Sequence, residues 1–209
     1  MIDYCENTKR LRMEPDQDSH EFPIWAPHEA FYIQTMLFNA TRVIRSAQAV
    51  DRTVREMIRA DEHGETCEID QLQCLDEVQQ IALNAAALSK YFWPIGKKYL
   101  KRGDFLRRKF SVDNGSPLKN RDLRNSIEHL DEKMDDYFGN DAFSGYVFPE
   151  YFGFELDRDG PKTVFFRAYF IDTGQFEMLG NKFSVPELVS EVIRIYKLLR
   201  KKQQSGERI

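Results

Sequence analysis

Within the stretch RNSIEH, Arg124, Asn125 and His129 set a cation, an amide and a proton-transfer group beside one another. An arginine stays charged at any working pH and grips a phosphate through two parallel hydrogen bonds. A histidine exchanges protons near neutrality. An asparagine one helical turn before the histidine can orient the imidazole or a ribose hydroxyl. Together they supply a phosphate clamp, a proton-transfer group and an orienting amide.

The residues must be carried by an amphipathic helix. In LRNSIEHLDEKMDDYF, at about 100° per residue, Leu123, Ile127, Leu130, Met134, Tyr137 and Phe138 fall in one arc, the expected core face. Asn125, His129 and Asp136 lie nearly opposite, so His129 is expected at solvent or at an interface with another helix or subunit. Arg124 and Glu128 also stand four apart, the spacing of an ordinary surface ion pair worth a few tenths of a kcal/mol. The acids Glu128, Asp131, Glu132, Asp135 and Asp136 make the helix negative after the arginine.

The tract before the motif has the opposite sign. Lys97, Lys98, Lys101, Arg102, Arg107, Arg108, Lys109, Lys119, Arg121 and Arg124 face only Asp104, Asp113 and Asp122, although the whole chain carries a net charge of −4. Such density suits a phosphate backbone, and it suits a solvated loop and helix face equally well.

A helical bundle whose late helix carries R-N-x-x-x-H resembles the HEPN superfamily of bacterial toxin, defence and RNA-processing domains, on the strength of Arg124, Asn125 and His129 and over roughly residues 27 to 140. The resemblance implies a homodimer in which two copies of the motif face each other and cleave RNA without metal or cofactor. It also implies an antitoxin protein as a possible partner. In one subgroup a tyrosine stands two places after the histidine. Here Asp131 does, so a partner-modified tyrosine is not supported. A non-catalytic relative that binds nucleic acid or a protein partner is the alternative reading, and an unrelated helical protein is the third.

With 209 residues, 42% of them hydrophobic and 31% charged, the chain can bury a substantial core. No apolar run approaches the roughly 18 residues of a membrane span, and MIDYCENTKR has no apolar signal core, so the expected location is the cytoplasm. Cys5, Cys67 and Cys74 and the four histidines show no metal-ligand spacing, and free thiols are expected.

The expected fold is mainly α: an antiparallel helical bundle with a small antiparallel β-meander and a C-terminal helix packed on it. Residues 1–26 read as an arm, 27–140 as the bundle, and 141–209 as the meander plus helix within the same domain. Pro27 opens a helix of some 30 residues with Ala40, Val43, Ala47, Val50, Val54 and Met57 inward, ending near DEHGE. A second runs from about Glu68 to Tyr91 with Ile69, Leu72, Val78, Ile81, Ala85 and Leu88 inward. A basic helix spans roughly Lys97 to Phe110. Ser116 and Pro117 are the expected cap and first turn of the motif helix, which ends near Gly139. Twelve of the 27 aromatics lie in residues 143–183, read as strands turned by DRDGPK and DTGQ. They are expected to fill the contact between sheet and bundle in preference to stacking bases. Ser184 and Glu187 form a capping box for a final helix, Val185 to about Lys202.

Overall fold

Apolar side chains at helical spacing build the two longest elements, and the computed structural model places both. It describes residues 24–120, 122–139, 145–156, 163–206 and 208–209, with only the backbone of Ala26, Leu123 and Arg124. The arm up to residue 23, Arg121 and the DRDGPK segment therefore lie outside the described residues.

Helix α1 runs Ala26–His63, with Pro27 in its first turn and Gly64 closing it at φ 68°. A left-handed residue with no Cβ is the cheapest way to end a helix. Helix α2, Gln71–Phe92, is capped by Asp70, whose carboxylate accepts from the Gln73 N–H at 3.0 Å. Val78, Ile81, Ala85 and Leu88 are buried as expected, but Leu72 is 60% exposed. At about 100° per residue it lies off the face that Leu75, Val78, Ile81, Ala85 and Leu88 bury.

Helix α2 is the central element. It packs against α1, against α3 (Leu100–Phe110), against α4 (Asp122–Glu128), against α6 (Val185–Ser205), and against strands β1 (Tyr146–Gly153) and β2 (Thr163–Phe170). Gly103 lets α3 close on the end of α2: a Cβ there would stand 2.6 Å from the Phe92 carbonyl oxygen and 2.5 Å from Pro94 Cδ.

Three local expectations at the helix ends are corrected. The basic helix starts as a 3-10 turn, Lys97–Tyr99, before α3. Pro117–Lys119 is likewise a separate 3-10 turn. Ser116 caps nothing; its hydroxyl donates to Glu191 on α6 at 3.0 Å, and Asn120 instead accepts from the Asp122 N–H at 2.8 Å to start α4. Ser184 occupies the N-cap of α6 without a side-chain cap bond.

The sheet departs further. With β3 (Gln175–Met178) and β4 (Asn181–Ser184) it has four strands in the order β1-β2-β3-β4. The β2-β3-β4 part is antiparallel as expected, but β1 and β2 are parallel, in register from Tyr146↔Thr163 to Gly153↔Phe170. A turn-rich connector between two apolar strands reads as a hairpin, yet near-continuous apolar runs are also what parallel strands buried on both faces require. The chain leaving β1 passes the far end of β2, where the Glu155 N–H donates to Asp172 at 3.0 Å. Glu150 on β1 and Arg167 on β2, paired side by side, form an ion pair at 2.7 Å.

One hydrophobic cluster joins helices and sheet, including Leu75, Val78 and Leu88 from α2, Phe110 from α3, Phe152, Tyr169 and Phe176 from the sheet, and Val192, Ile195 and Leu199 from α6. Of the ten strand aromatics, Phe152, Phe166, Tyr169, Phe176 and Phe183 belong to this contact, half of those expected to fill it. Phe165, Ala168 and Phe170 form a second buried cluster with Phe148 and Tyr151. Cys67 and Cys74 are free thiols. Among the described residues no helix is long and apolar enough to cross a membrane.

Candidate active site

The motif helix is two helices. α4 ends at Glu128, α5 is Leu130–Gly139, and His129 is the residue between them. The backbone ladder still runs through the junction: the His129 N–H donates to the Asn125 carbonyl at 3.0 Å, and the Lys133 N–H donates to the His129 carbonyl at 3.0 Å. Asn125 and His129 therefore keep their one-turn relation.

Both side chains are exposed, as the helical wheel requires. Ser126 is buried, and Ile127, Leu130, Met134 and Tyr137 pack against the core from the half-buried face. Phe138, expected in that stripe, is 41% exposed instead. With no fully buried residue on α5, the core holds only the inner edge of this segment. Arg124 lies on α4 in the turn before Asn125; its side chain, like Leu123's, is outside the description.

His129 is about half exposed, with Nδ1 3.6 Å from the Glu132 carboxylate, one turn on. That distance makes an ion pair with a protonated ring and is too long for a hydrogen bond. Glu132 is a site residue that the motif alone does not name; its signal in the sequence is only its position three residues after the histidine. Exposed Asp131, Asp135 and Asp136 surround the pair. A small cavity of about 200 Å³ lies where Ser126, Lys133 and Tyr137 meet Leu179 and Asn181 of the β3–β4 turn, and neither Asn125 nor His129 lines it.

The basic tract divides by role. Arg102 is held in an aromatic cage, its guanidinium carbon 5.5, 5.9 and 5.3 Å from the ring centres of Tyr32, Tyr91 and Tyr99. It also donates to the Lys90 carbonyl at 3.2 Å. Arg107 donates to the Phe92 carbonyl at 2.6 Å, pairs with Asp104 and lies 5.6 Å over Trp93. These two cations clamp α3 onto the end of α2. Lys97, Lys98, Lys101, Arg108, Lys109 and Lys119 are exposed. Lys98 lies 4.8 Å over the half-exposed ring of Tyr99, and Lys109 lies 5.3 Å over Phe105. Arg121 lies outside the described residues.

Comparison of the chain with protein-family models, with curated proteins and with solved structures finds no match.

Proposed function

We propose that the chain is a HEPN-like, metal-independent endoribonuclease of the bacterial toxin or defence type, acting as a homodimer. The observation that carries this reading is the placement of Asn125 and His129 on one exposed face, a turn apart, with a carboxylate beside the imidazole. With Glu132 on the Nδ1 side at 3.6 Å, Nε2 of the neutral ring is the nitrogen left to take the 2′-hydroxyl proton. Arg124 clamps the scissile phosphate. The motif face carries no load in its own core, so a second copy can bring its own Arg124 and His129 against it. The exposed lysines before α4 lead the RNA backbone toward the site, and an antitoxin protein would cover the same face.

Light scattering run beside RNA turnover tests the dimer. Turnover per chain should rise with the dimer fraction as concentration is raised. Turnover by a monomer that does not change with concentration would remove the composite site.

The acid ring of Asp131, Glu132, Asp135 and Asp136 favours a second reading, a non-catalytic HEPN-like module that binds nucleic acid or a protein. Carboxylates at this density repel a phosphate backbone. Salt-dependent RNA binding with no turnover by the wild type would select it.

A further inference from the structure

Rings and cations form an unbroken run from the start of α1, past the end of α2, to the start of α3. Trp25 meets His28 with ring centres 5.0 Å apart, His28 meets Tyr32 at 6.4 Å, and Tyr32 meets Tyr91 at 5.5 Å. Arg102 joins Tyr32 and Tyr91 to Tyr99, and Lys98 lies over the Tyr99 ring. Both ends of the run are open, with Trp25 65% and Tyr99 44% exposed. The Tyr99 ring rests on Gly96, where a Cβ would stand 3.1 Å from it, so the ring is held flat against the backbone.

The charge along the run is of one sign. Residues 91–103 hold Lys97, Lys98, Lys101 and Arg102 and no acid. Residues 24–35 hold one acid, Glu29, which is buried and paired with Arg208 at 2.9 Å. None of the four cations has a carboxylate partner among the described residues. Arg102 makes one hydrogen bond, to the Lys90 carbonyl, and its buried Nε has no partner. Its neighbour in the clamp, Arg107, is matched by Asp104. The charge of Arg102 is left for an anion from outside.

We infer that this run is a binding track for single-stranded RNA, with one unstacked base on Trp25, another on Tyr99, and phosphates along Lys97, Lys98 and Lys101. Arg102 holds the three tyrosines in place and adds its charge. Stacking on a ring accepts any base, and a row of cations beside the rings follows the backbone. A duplex keeps its base faces inside, so the open rings select a strand. An acidic peptide would meet the cations and leave the ring faces in water, whereas a strand uses both. As the path by which substrate reaches His129, the track rests on the ribonuclease reading above; as a binding surface it does not.

The experiment measures fluorescence anisotropy of a labelled 2′-O-methyl RNA of about 12 nucleotides on the full chain. That strand lacks the 2′-hydroxyl and cannot be cut, so binding is read apart from cleavage. Trp25→Ala and Tyr99→Ala each weaken binding about tenfold, the loss of one stacked base. Lys98→Ala lowers the salt slope by about one phosphate contact. The same strand annealed to its complement binds more weakly and does not respond to either ring substitution. A base on Trp25 quenches its fluorescence while the buried Trp93 keeps its own, so Trp25→Phe retains binding and loses the quench. Ring variants that bind the strand as tightly as the wild type would overturn the proposal. So would a duplex that binds equally well, a polyglutamate peptide that competes as strongly as the strand, or no binding at low salt. Ring-dependent binding with no cleavage of ordinary RNA would support the track and count against the ribonuclease reading alone.

Discussion

His129 stands where one helix hands over to the next, with Asn125 a turn behind and Glu132 a turn ahead. Each neighbour has its own expected effect. Arg124→Ala removes the phosphate clamp and should lower RNA turnover by about a hundredfold or more, the low end for a group acting in the transition state. Asn125→Ala should cost less, since an amide here orients and does not transfer a proton. Glu132→Gln should cost least, because an exposed ion pair is worth about 0.2–1 kcal/mol, at most roughly a fivefold effect. It should appear in kcat with KM unchanged. Steady-state kinetics on a single labelled RNA checks the ranking, and a Glu132→Gln loss as large as that of Arg124→Ala would give Glu132 a direct role. The solvent-facing placement of Asn125 and His129 was legible from a helical wheel. The pairing with Glu132 was signalled only by its place three residues after the histidine, which on a helix this acidic does not stand out as a site.

At the scale of elements, the junction of α2 and α3 shows why a basic tract misleads when read by charge alone. Arg102 and Arg107 belong to the binding surface by sequence, but in the fold they tie α3 to Lys90 and Phe92 carbonyls and to aromatic faces. Gly103 sits between them. Gly103→Ala gains roughly 1 kcal/mol of helix propensity. It also drives a methyl onto a backbone carbonyl that cannot move aside, which costs more, about 1–3 kcal/mol by overpacking and further through the Arg107 bond it displaces. The net expectation is a lower melting temperature by a few degrees, measured by circular dichroism; a rise would mean that α3 can slide. The long helices were readable because their apolar period extends over many turns. The direction of β1 was not, since near-continuous apolar runs suit a buried strand of either direction and a turn-rich connector reads as a hairpin. The break at His129 was also invisible, because the helical spacing continues through it.

The whole molecule is an acidic chain with one basic flank, and two bulk properties follow. If the six exposed cations Lys97, Lys98, Lys101, Arg108, Lys109 and Lys119 each meet a phosphate, RNA affinity should fall roughly a thousandfold between about 50 and 200 mM salt. A filter-binding series checks it, and a flat response would remove the flank from the interface. Stability should fall in alkali. Burial pushes the Cys74 thiol and the Tyr151 and Tyr169 phenols above their ordinary ranges, so the folded chain keeps protons that the unfolded chain loses. Their stabilisation is complete below the unfolded values, about pH 8.5 for the thiol and 10 for the phenols, and is lost as pH rises through the folded ones. Melting temperatures from about pH 8 to 11 should show the decline, shallower in Tyr169→Phe. The central claim, however, is that this chain cuts RNA through His129 without a metal. The direct measurement is cleavage of a labelled RNA in EDTA by purified wild type and His129→Ala at equal dimer concentration. Cleavage by the wild type, reduced about a hundredfold or more in a His129→Ala protein of unchanged mass and helicity, is the result expected. Equal cleavage by the two proteins, or none by either, would contradict it.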